Sequence, residues 1–191
     1  SPLSNKRTDK YGGDIIGRSR FSVEVVKAVR AAVGEAFPIL YRMSSAEYEE
    51  GGLDITEAQV LAMQLEDAGA DLIHVSQGGT PRRINVILPS SHETKAGFAD
   101  NAAAIKSVVH IPVIAVGRIN NPYLAEKILL AGQADMVTMA KASLADPELP
   151  LKAMRGDYDD IRLCIGCMQG CTRGCTVNPR LGHETQYPKV P

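Results

Sequence analysis

Four cysteines gathered near the C-terminal end constrain this chain more than any other feature. All four cysteines of the 191-residue sequence lie between positions 164 and 175, with the spacing C-x2-C-x3-C-x3-C. Tight turns of this kind bring several thiolates onto one compact object, and glycines at positions 166, 170 and 174 let the backbone bend around it. We therefore predict a [4Fe–4S] cluster as the metal group, bound by Cys164, Cys167, Cys171 and Cys175.

Two other uses of the four thiols stay open. Four thiolates also suit a tetrahedral zinc ion, although zinc ligands more often come as two C-x2-C pairs with a longer spacer. Disulfides are the other alternative. They are disfavoured because the remaining positions hold no cysteine and the sequence has no apolar signal segment, a pattern typical of a reducing compartment. We expect a cytoplasmic protein.

The composition argues against several kinds of partner. The sequence is 45% hydrophobic and 23% charged, which is ordinary for a globular protein. Its net charge of −1 gives no reason to expect nucleic acid, and no apolar run approaches the length that spans a membrane. We expect a small-molecule substrate, with neither nucleic acid nor a membrane as partner.

Short apolar segments alternate with helical patterns along the chain. Apolar runs predict strands near 39–44, 71–76, 111–117 and 135–140. Periodic apolar residues predict helices over about 15–37, 56–68, 99–109, 121–132 and 146–155, with Thr56 and Asn121 as N-caps and Pro122 in the first helical position. Strands and helices that alternate at these lengths predict parallel βα units.

The second predicted strand and the loop that follows it are candidates for function. His74, in the second predicted strand, is a candidate catalytic residue, but a hydrogen-bonded histidine in the core is the favoured interpretation. The long loop over about 77–96 is a candidate lid, because loops of this length inside a compact domain are often functional.

Four strands can form either a small open sheet or half of an eight-stranded barrel. Polar residues at the strand ends favour the barrel, because barrel active sites are built there; they are Arg42, Ser76, Arg118 and Lys141. The Gly-Arg and Ala-Lys pairs that end the last two strands suit a phosphate site. Simple exposure to solvent is the alternative for Arg42, Arg118 and Lys141.

The whole chain resembles the C-terminal half of the barrel domain in old yellow enzyme-like NADH:flavin oxidoreductases. Within that family it is similar to the iron–sulfur branch, which includes 2,4-dienoyl-CoA reductase, 2-enoate reductases and trimethylamine dehydrogenase. Residues 1–13 look like the loop after barrel strand four, and the cysteines with the Cys175-Thr-Val-Asn-Pro motif look like the cluster loop. The chain departs from the family in two places. Only Arg18 remains of the usual Ser-x-Glu-Asn-Arg motif, and the segment between Cys171 and Cys175 is shorter.

The resemblance implies a fold and a set of cofactor contacts. The fold class would be α/β: the C-terminal half of a (β/α)8 TIM barrel over residues 1–155, holding strands five to eight. Residues 156–191 would form the cluster loop and the start of a linker to nucleotide-binding domains. Arg42 would contact the pyrimidine edge of FMN, and Gly117, Arg118, Ala140 and Lys141 would hold its phosphate. The family usually has Gly-Arg at the second phosphate position, so Lys141 keeps the charge without the forked geometry.

The resemblance also implies an activity. It is the reduction of activated C=C bonds of the enoate or dienoyl-CoA type, with FMN and a [4Fe–4S] cluster as cofactors and with FAD and NAD(P)H bound in further domains. The catalytic residues would lie in the N-terminal half of the barrel, so this chain alone is expected to be inactive. Half a barrel exposes two sheet edges, and we expect a homo-oligomer or pairing through those edges. The alternatives are an amine dehydrogenase of the same fold and a non-catalytic zinc-binding α/β module.

Overall fold

A parallel sheet lies at the centre of the fold. The computed structural model describes residues 1–78, 96–171 and 173–187. Within them four strands pair in chain order and every pairing is parallel. The strands are β1 (Leu40–Ser44), β2 (Leu72–Ser76), β3 (Val113–Ala115) and β4 (Met136–Val137). The predicted α/β architecture with parallel βα units is confirmed.

Helices precede, connect and follow the strands. They are α1 (Ile15–Val33), α2 (Ile55–Asp67), α3 (Ala99–Lys106), α4 (Pro122–Leu130), α5 (Ala140–Ala145), α6 (Leu149–Arg155) and a short 3-10 helix (Tyr158–Asp160). In the described chain, α2, α3 and α4 each lie between two consecutive strands. Sequential parallel strands joined by helices are the repeating unit of a TIM barrel.

The helix starts follow the sequence at α4 and differ from it at α2. As predicted, Asn121 caps α4, its Oδ1 accepting a hydrogen bond from the Leu124 N–H at 2.8 Å, and Pro122 is the first helical residue. The prediction of Thr56 as the cap of α2 is wrong. Asp54 is the cap, and its carboxylate accepts from the Glu57 N–H at 2.9 Å. A charged acceptor is well placed there, because a helix N-terminus favours negative charge.

Two helix ends also differ from the prediction. Helix α1 ends at Val33 instead of continuing to about 37, because Gly34 takes a positive φ of 76°. Arg30 then fixes the turn by donating to the carbonyl oxygens of Gly34 at 2.7 Å and Phe37 at 2.8 Å. The fourth strand was predicted over 135–140, but β4 ends at Val137 and α5 begins at Ala140.

The hydrophobic core lies on one face of the sheet. Side chains alternate along a strand, so one set faces the helices and the other faces away. The set packed against the helices includes Met43, Ile73, Val75, Val113 and Ala115, all buried. Burial of one such aliphatic side chain contributes about 1.5–3 kcal/mol.

The opposite face carries the polar side chains of the strands. Arg42 and His74 lie side by side there, because they are register partners in β1 and β2. Leu40 and Met136 lie on the same face and are 53% and 42% exposed. This face, together with the carboxyl ends of the strands, is where a ligand has room to bind.

Three further sequence predictions concern the candidate lid, the helix at Asp146 and membrane spans. The candidate lid lies largely outside the described residues, which omit 79–95. Instead of one helix opening at Asp146, two helices, α5 and α6, flank that residue. Each helix in the described ranges is too short or too polar to cross a bilayer.

Candidate functional site

The five residues predicted to contact a flavin line one groove at the carboxyl ends of the strands. The groove has a volume of about 150 Å³ and its walls include Arg42, Gly117, Arg118, Ala140 and Lys141. Ser76, Phe98 and Thr138 complete part of the wall. Three cationic side chains thus border one concave surface, an arrangement that suits an anionic ligand.

Arg42 is held in the groove by the neighbouring strand. Its Nη2 donates to the Ser76 Oγ at 3.0 Å, across the β1–β2 pair. A guanidinium carries five N–H donors, so most of them remain available after this bond. The strand that holds Arg42 is only partly buried, since Leu40 and Arg42 are both exposed. Strand β1 is therefore buried on one face only.

A bend in the backbone after β3 shapes the middle of the groove. Gly117 has a φ of 123° and Arg118 has a φ of 54°. A Cβ atom at Gly117 would lie 2.7 Å from the Phe98 ring, so only glycine fits there without movement. For a residue with a side chain, the left-handed conformation costs about 1–2 kcal/mol. Strain of this kind at Arg118 points to a functional constraint on where its side chain is directed.

His74 is buried beside Arg42. It is 8% exposed, and its Nε2 has no hydrogen-bond partner within the residues that the structure describes. Burial lowers the pKa of His74, and the positive charge of Arg42 lowers it further. Both effects favour the neutral imidazole. The burial agrees with the favoured interpretation of a core histidine, and among the described residues no hydrogen-bond partner is present for its Nε2.

The four cysteines surround one small cavity between the C-terminal loop and α5. All four line it, together with Lys141, Leu144 and Met168. All four are free thiols, so the disulfide alternative is not what the structure contains. Cys175 lies with the other three, although the segment that precedes it is short. The loop bends sharply at Gly166 and at Met168, whose φ values are 71° and 59°.

The ligands and the volume of the cavity determine which metal group fits. Across the described ranges, no three histidine, cysteine or carboxylate side chains converge on a single-ion site. In an iron–sulfur cube each iron takes one thiolate, so the ligands surround the group and need not meet at one point. The cavity volume of about 20 Å³ is close to that of one water site. The donor set therefore suits a cluster, and the loop has to widen as a cluster binds.

Local contacts favour the thiolate form of one cysteine. The Cys167 Sγ lies 3.4 Å from the Thr176 Oγ1. This hydrogen bond is the main cause that lowers the pKa of Cys167; the backbone N–H of Gln169 and, to a smaller extent, the charge of Lys141 lower it further. Since the thiolate is the form that binds a metal, the loop is prepared for ligation at this position.

Two asparagines fasten the cysteine loop to the scaffold. The Asn120 Nδ2 donates to the Cys164 carbonyl oxygen at 3.1 Å. The buried Asn178 donates from Nδ2 to the Leu144 carbonyl oxygen at 2.8 Å and accepts from the Arg162 Nη1 at 3.1 Å. Sequence reasoning assigned neither a role. The position of Asn178 in the Cys-Thr-Val-Asn-Pro motif is the signal that could have identified it.

Asp146 is a third anchor that the sequence did not identify. Its buried carboxylate accepts from the Lys152 Nζ at 2.7 Å and from the N–H groups of Arg162 at 2.9 Å and Glu148 at 3.0 Å. Burial by itself raises the pKa of Asp146, but these three hydrogen bonds outweigh it, and the pKa lies below its ordinary value. The ionised carboxylate ties the start of the cysteine loop to α6.

Lys141 belongs to both sites. Its side chain lines the groove that holds Arg42 and Arg118, and it also lines the cysteine cavity. Its Nζ lies 3.2 Å from the Met168 Sδ, and Met168 follows Cys167 directly in the loop. The groove and the cavity therefore share a wall, and this wall carries a positive charge.

The chain is similar to three reductases and oxidases over nearly all of its length. It is 44% identical to a metal reductase from Desulforamulus reducens (strain ATCC BAA-1160 / DSM 100696 / MI-1), covering 100% of this chain and 30% of the relative. It is 42% identical to an NADH oxidase from Thermoanaerobacter brockii, with the same coverage. It is 33% identical to a cinnamate reductase from Clostridium sporogenes, covering 96% of this chain and 31% of the relative. The chain spans about a third of the length of these relatives.

Solved structures of flavoenzymes show the same fold. A 2-naphthoyl-CoA reductase in complex with 2-naphthoyl-CoA matches 95% of this chain with a TM-score of 0.88 and 33% identity, over 29% of its own chain. Histamine dehydrogenase from Rhizobium sp. 4-9 matches 95% of this chain with a TM-score of 0.82 and 32% identity, over 27% of its own chain.

These neighbours are TIM-barrel flavoenzymes, and the four strands correspond to part of their barrel. The family model for NADH:flavin oxidoreductases and NADH oxidases matches residues 1–160. The chain belongs to the NADH:flavin oxidoreductase / NADH oxidase family.

Proposed function

We propose that this chain contributes half of an FMN-binding barrel and a complete [4Fe–4S] cluster loop to an NAD(P)H-dependent enzyme that reduces activated C=C bonds. The observation that carries the proposal is the wall shared by the groove and the cysteine cavity at Lys141. A flavin site and a cluster site that are neighbours allow electrons to pass between them. Residues 1–155 would form the barrel part and residues 156–191 the cluster part.

The groove residues divide the work of holding FMN. Arg42, oriented by Ser76, would contact the pyrimidine edge, where its charge would favour the reduced, anionic ring. The Gly117–Arg118 bend brings backbone close to the ligand, since glycine leaves no side chain in the way, and Arg118 supplies charge for the phosphate. Ala140 adds a small residue to the wall of the groove.

The cysteine loop would ligate the cluster through Cys164, Cys167, Cys171 and Cys175. Asn120 and Asn178 hold the two ends of the loop, and Thr176 stabilises a thiolate at Cys167. When bound, FMN supplies hydride and electron transfer, and the cluster supplies single-electron transfer. FAD and NAD(P)H sites outside these residues stay a prediction.

The relatives support a conjugated, electron-poor substrate. Cinnamate is an α,β-unsaturated carboxylate, so the cinnamate reductase acts on a molecule with an activated C=C bond. The 2-naphthoyl-CoA reductase takes an aromatic acyl thioester. Both molecules have an unsaturated system next to an electron-withdrawing carbonyl, and we propose the same class for the protein that contains this chain.

Amine oxidation is the second candidate, and one observation favours it. Histamine dehydrogenase shares the fold with a TM-score of 0.82 and 32% identity. In that case electrons would leave the substrate for the flavin and pass out through the cysteine cavity. Aromatic side chains around a cationic amine would favour this candidate, because aromatic faces attract cations. In the described part of the chain, the groove walls contain one aromatic residue, Phe98.

The experiment compares the two substrate classes in the anaerobically purified protein that contains this chain. NADH oxidation is followed with cinnamate or a short 2-enoate as acceptor, and dye reduction is followed with dimethylamine or histamine as donor. Acceptor-dependent NADH oxidation with no amine-dependent dye reduction supports the proposal. Amine-dependent dye reduction without enoate reduction would replace it with the second candidate. Colourless protein that contains zinc and no iron would favour the non-catalytic module.

A further inference from the structure

Lys141 carries the positive charge on the wall that the groove and the cysteine cavity share. A cation in this position can serve a phosphate in the groove or the thiolates in the cavity. The groove already has Arg42 and Arg118 on its other walls. In the described residues that line the cysteine cavity, Lys141 is the only cationic side chain.

One contact of the ammonium lies on the cavity side. The Lys141 Nζ donates to the Met168 Sδ at 3.2 Å. Met168 is a non-glycine residue with a φ of 59°, so the loop accepts backbone strain to hold this residue between the first two and the last two cysteines. The Lys141 side chain also lines the cysteine cavity itself, together with the four cysteines. Two observations therefore connect Lys141 with the cysteine loop.

The identity of the residue agrees with this role. An arginine binds a phosphate through a planar fork that needs a fixed orientation, whereas a lysine acts as a compact point charge. A point charge stabilises a neighbouring anion whatever its exact orientation. Four thiolates around one group make the cavity strongly negative, and each electron that arrives adds one more negative charge. A cation in the wall of a partly enclosed site is only weakly screened by water, so it favours the reduced state.

We propose that Lys141 is a positioning residue for charge in the cysteine cavity, where its ammonium raises the reduction potential of the group bound by the four cysteines, and that it is not the main phosphate ligand. This inference rests on the proposed function, because it requires a redox group in the cavity. It assigns phosphate binding in the groove to Arg118 and the bent backbone at Gly117.

The test compares three variants in the anaerobically purified protein. Lys141→Gln removes the charge, Lys141→Arg keeps it, and Lys127→Gln removes an exposed lysine of α4 as the matched control. The midpoint potential is measured by dithionite titration followed by electron paramagnetic resonance, and the iron and FMN content of each sample is determined. A fourth variant, Met168→Leu, removes the sulfur contact and leaves the lysine in place.

The expected result distinguishes a role of Lys141 in the cavity from a role in the groove. Lys141→Gln makes the midpoint potential more negative while the FMN dissociation constant changes by less than about twofold. Lys141→Arg and Lys127→Gln keep the wild-type potential. Met168→Leu shifts the potential in the same direction as Lys141→Gln but by less, which tests the role even if Lys141→Gln folds poorly.

Other results would overturn the inference. An unchanged potential in Lys141→Gln together with a loss of FMN affinity of about tenfold or more would make Lys141 a phosphate ligand. A potential that is unchanged in both Lys141→Gln and Met168→Leu would also contradict the role. Wild-type protein that binds FMN but no iron would instead overturn the proposed function at the cluster, and metal analysis shows this before any variant is made.

Discussion

The Asn120 side chain joins the two sites: its Nδ2 donates to the Cys164 carbonyl oxygen at 3.1 Å. Asn120 lies two residues after Arg118, which borders the groove, and Cys164 borders the cavity. Asn120 is buried, so water does not easily replace this bond. One short segment after β3 therefore contributes to the relative position of the groove and the cysteine loop.

Replacement of Asn120 by alanine should weaken the attachment of the cysteine loop. Loss of a buried hydrogen bond that leaves one partner unsatisfied costs about 1–3 kcal/mol. We expect faster loss of iron to a chelator in Asn120→Ala than in the wild type. Asn5→Ala is the control, because it removes a bond of the same kind, from Nδ2 to the Tyr11 carbonyl oxygen at 2.8 Å, in the N-terminal loop. Equal rates of iron loss in both variants would contradict the role of Asn120.

A methyl group at Gly117 should be costly in two ways. The φ of 123° is unfavourable for a residue with a side chain, and the new Cβ would meet the Phe98 ring at 2.7 Å. Gly132 is the matched control, because its φ is 68° but a Cβ there has open space. Each substitution pays conformational strain of about 1–3 kcal/mol, and Gly117→Ala adds the clash.

Urea unfolding followed by circular dichroism measures both glycine variants. We expect Gly117→Ala to lose more free energy of unfolding than Gly132→Ala. We also expect only Gly117→Ala to lose FMN affinity. A Gly117→Ala protein as stable as Gly132→Ala would mean that the Phe98 ring moves freely. This result would contradict the tight fit between Gly117 and Phe98.

Asp146 predicts a dependence of stability on acid pH. Its carboxyl pKa is lower in the folded chain than the ordinary value, so the folded state binds fewer protons on this group than the unfolded state does. The stabilisation is therefore complete above about pH 4 and is lost as the pH falls through the lowered pKa. Asp146→Asn should be less stable than the wild type at pH 7, and the difference should shrink at about pH 3. A difference that stays constant between these two pH values would contradict the assignment.

The lowered pKa of His74 predicts a second dependence of stability on pH, at higher pH than that of Asp146. Its pKa lies below 6.5 in the folded chain, because of burial and then Arg42, so the unfolded state binds more protons as the pH falls below 6.5. Stability should be constant above about pH 7 and should decrease below 6.5 until the lowered pKa is reached. His74→Leu should remove this decrease, whereas His110→Leu, at an exposed position, should keep it. Thermal unfolding between about pH 5 and 8 distinguishes the two variants.

Arg42 predicts a loss of flavin affinity without a loss of fold. Its side chain is exposed in the groove and, within the described residues, contributes one hydrogen bond, to Ser76, so Arg42→Met should change the free energy of unfolding little. A hydrogen bond from a charged donor to a ligand is worth about 1.5–3 kcal/mol, which corresponds to a tenfold or larger loss of affinity. Arg42→Lys should lie between the wild type and Arg42→Met. Flavin fluorescence titration measures all three proteins, and unchanged affinity in Arg42→Met would exclude the proposed contact.

The strands and most helices follow from the order of apolar residues, because burial decides them. The run from Ile39 to Ser44 and the run from Leu72 to Ser76 are strands for this reason. Helix boundaries depend on competition between neighbouring caps, which apolar patterns do not record. Asp54, and not Thr56, caps α2 because its carboxylate accepts the Glu57 N–H. Helix α1 ends several residues before Pro38, because Gly34 takes a positive φ.

Some residues of the candidate site can be identified from the sequence, and others only from the folded structure. The cysteines and the residues at strand ends stand out in the sequence, since parallel strands bring their carboxyl ends to one edge. The anchors do not stand out, because Asn120, Asp146 and Asn178 act through contacts with residues far along the chain. The contact between Lys141 and Met168 also joins two elements whose packing only the folded structure defines.

The most direct test of the central claim is the cofactor content of the anaerobically purified protein, measured as iron, acid-labile sulfide and FMN per chain. The account predicts about four iron atoms, about four sulfides and about one FMN, with yellow-brown absorbance that loses its iron–sulfur part in a Cys164→Ser variant. Protein that contains neither iron nor flavin after reconstitution, or that holds zinc at the four cysteines, would contradict it.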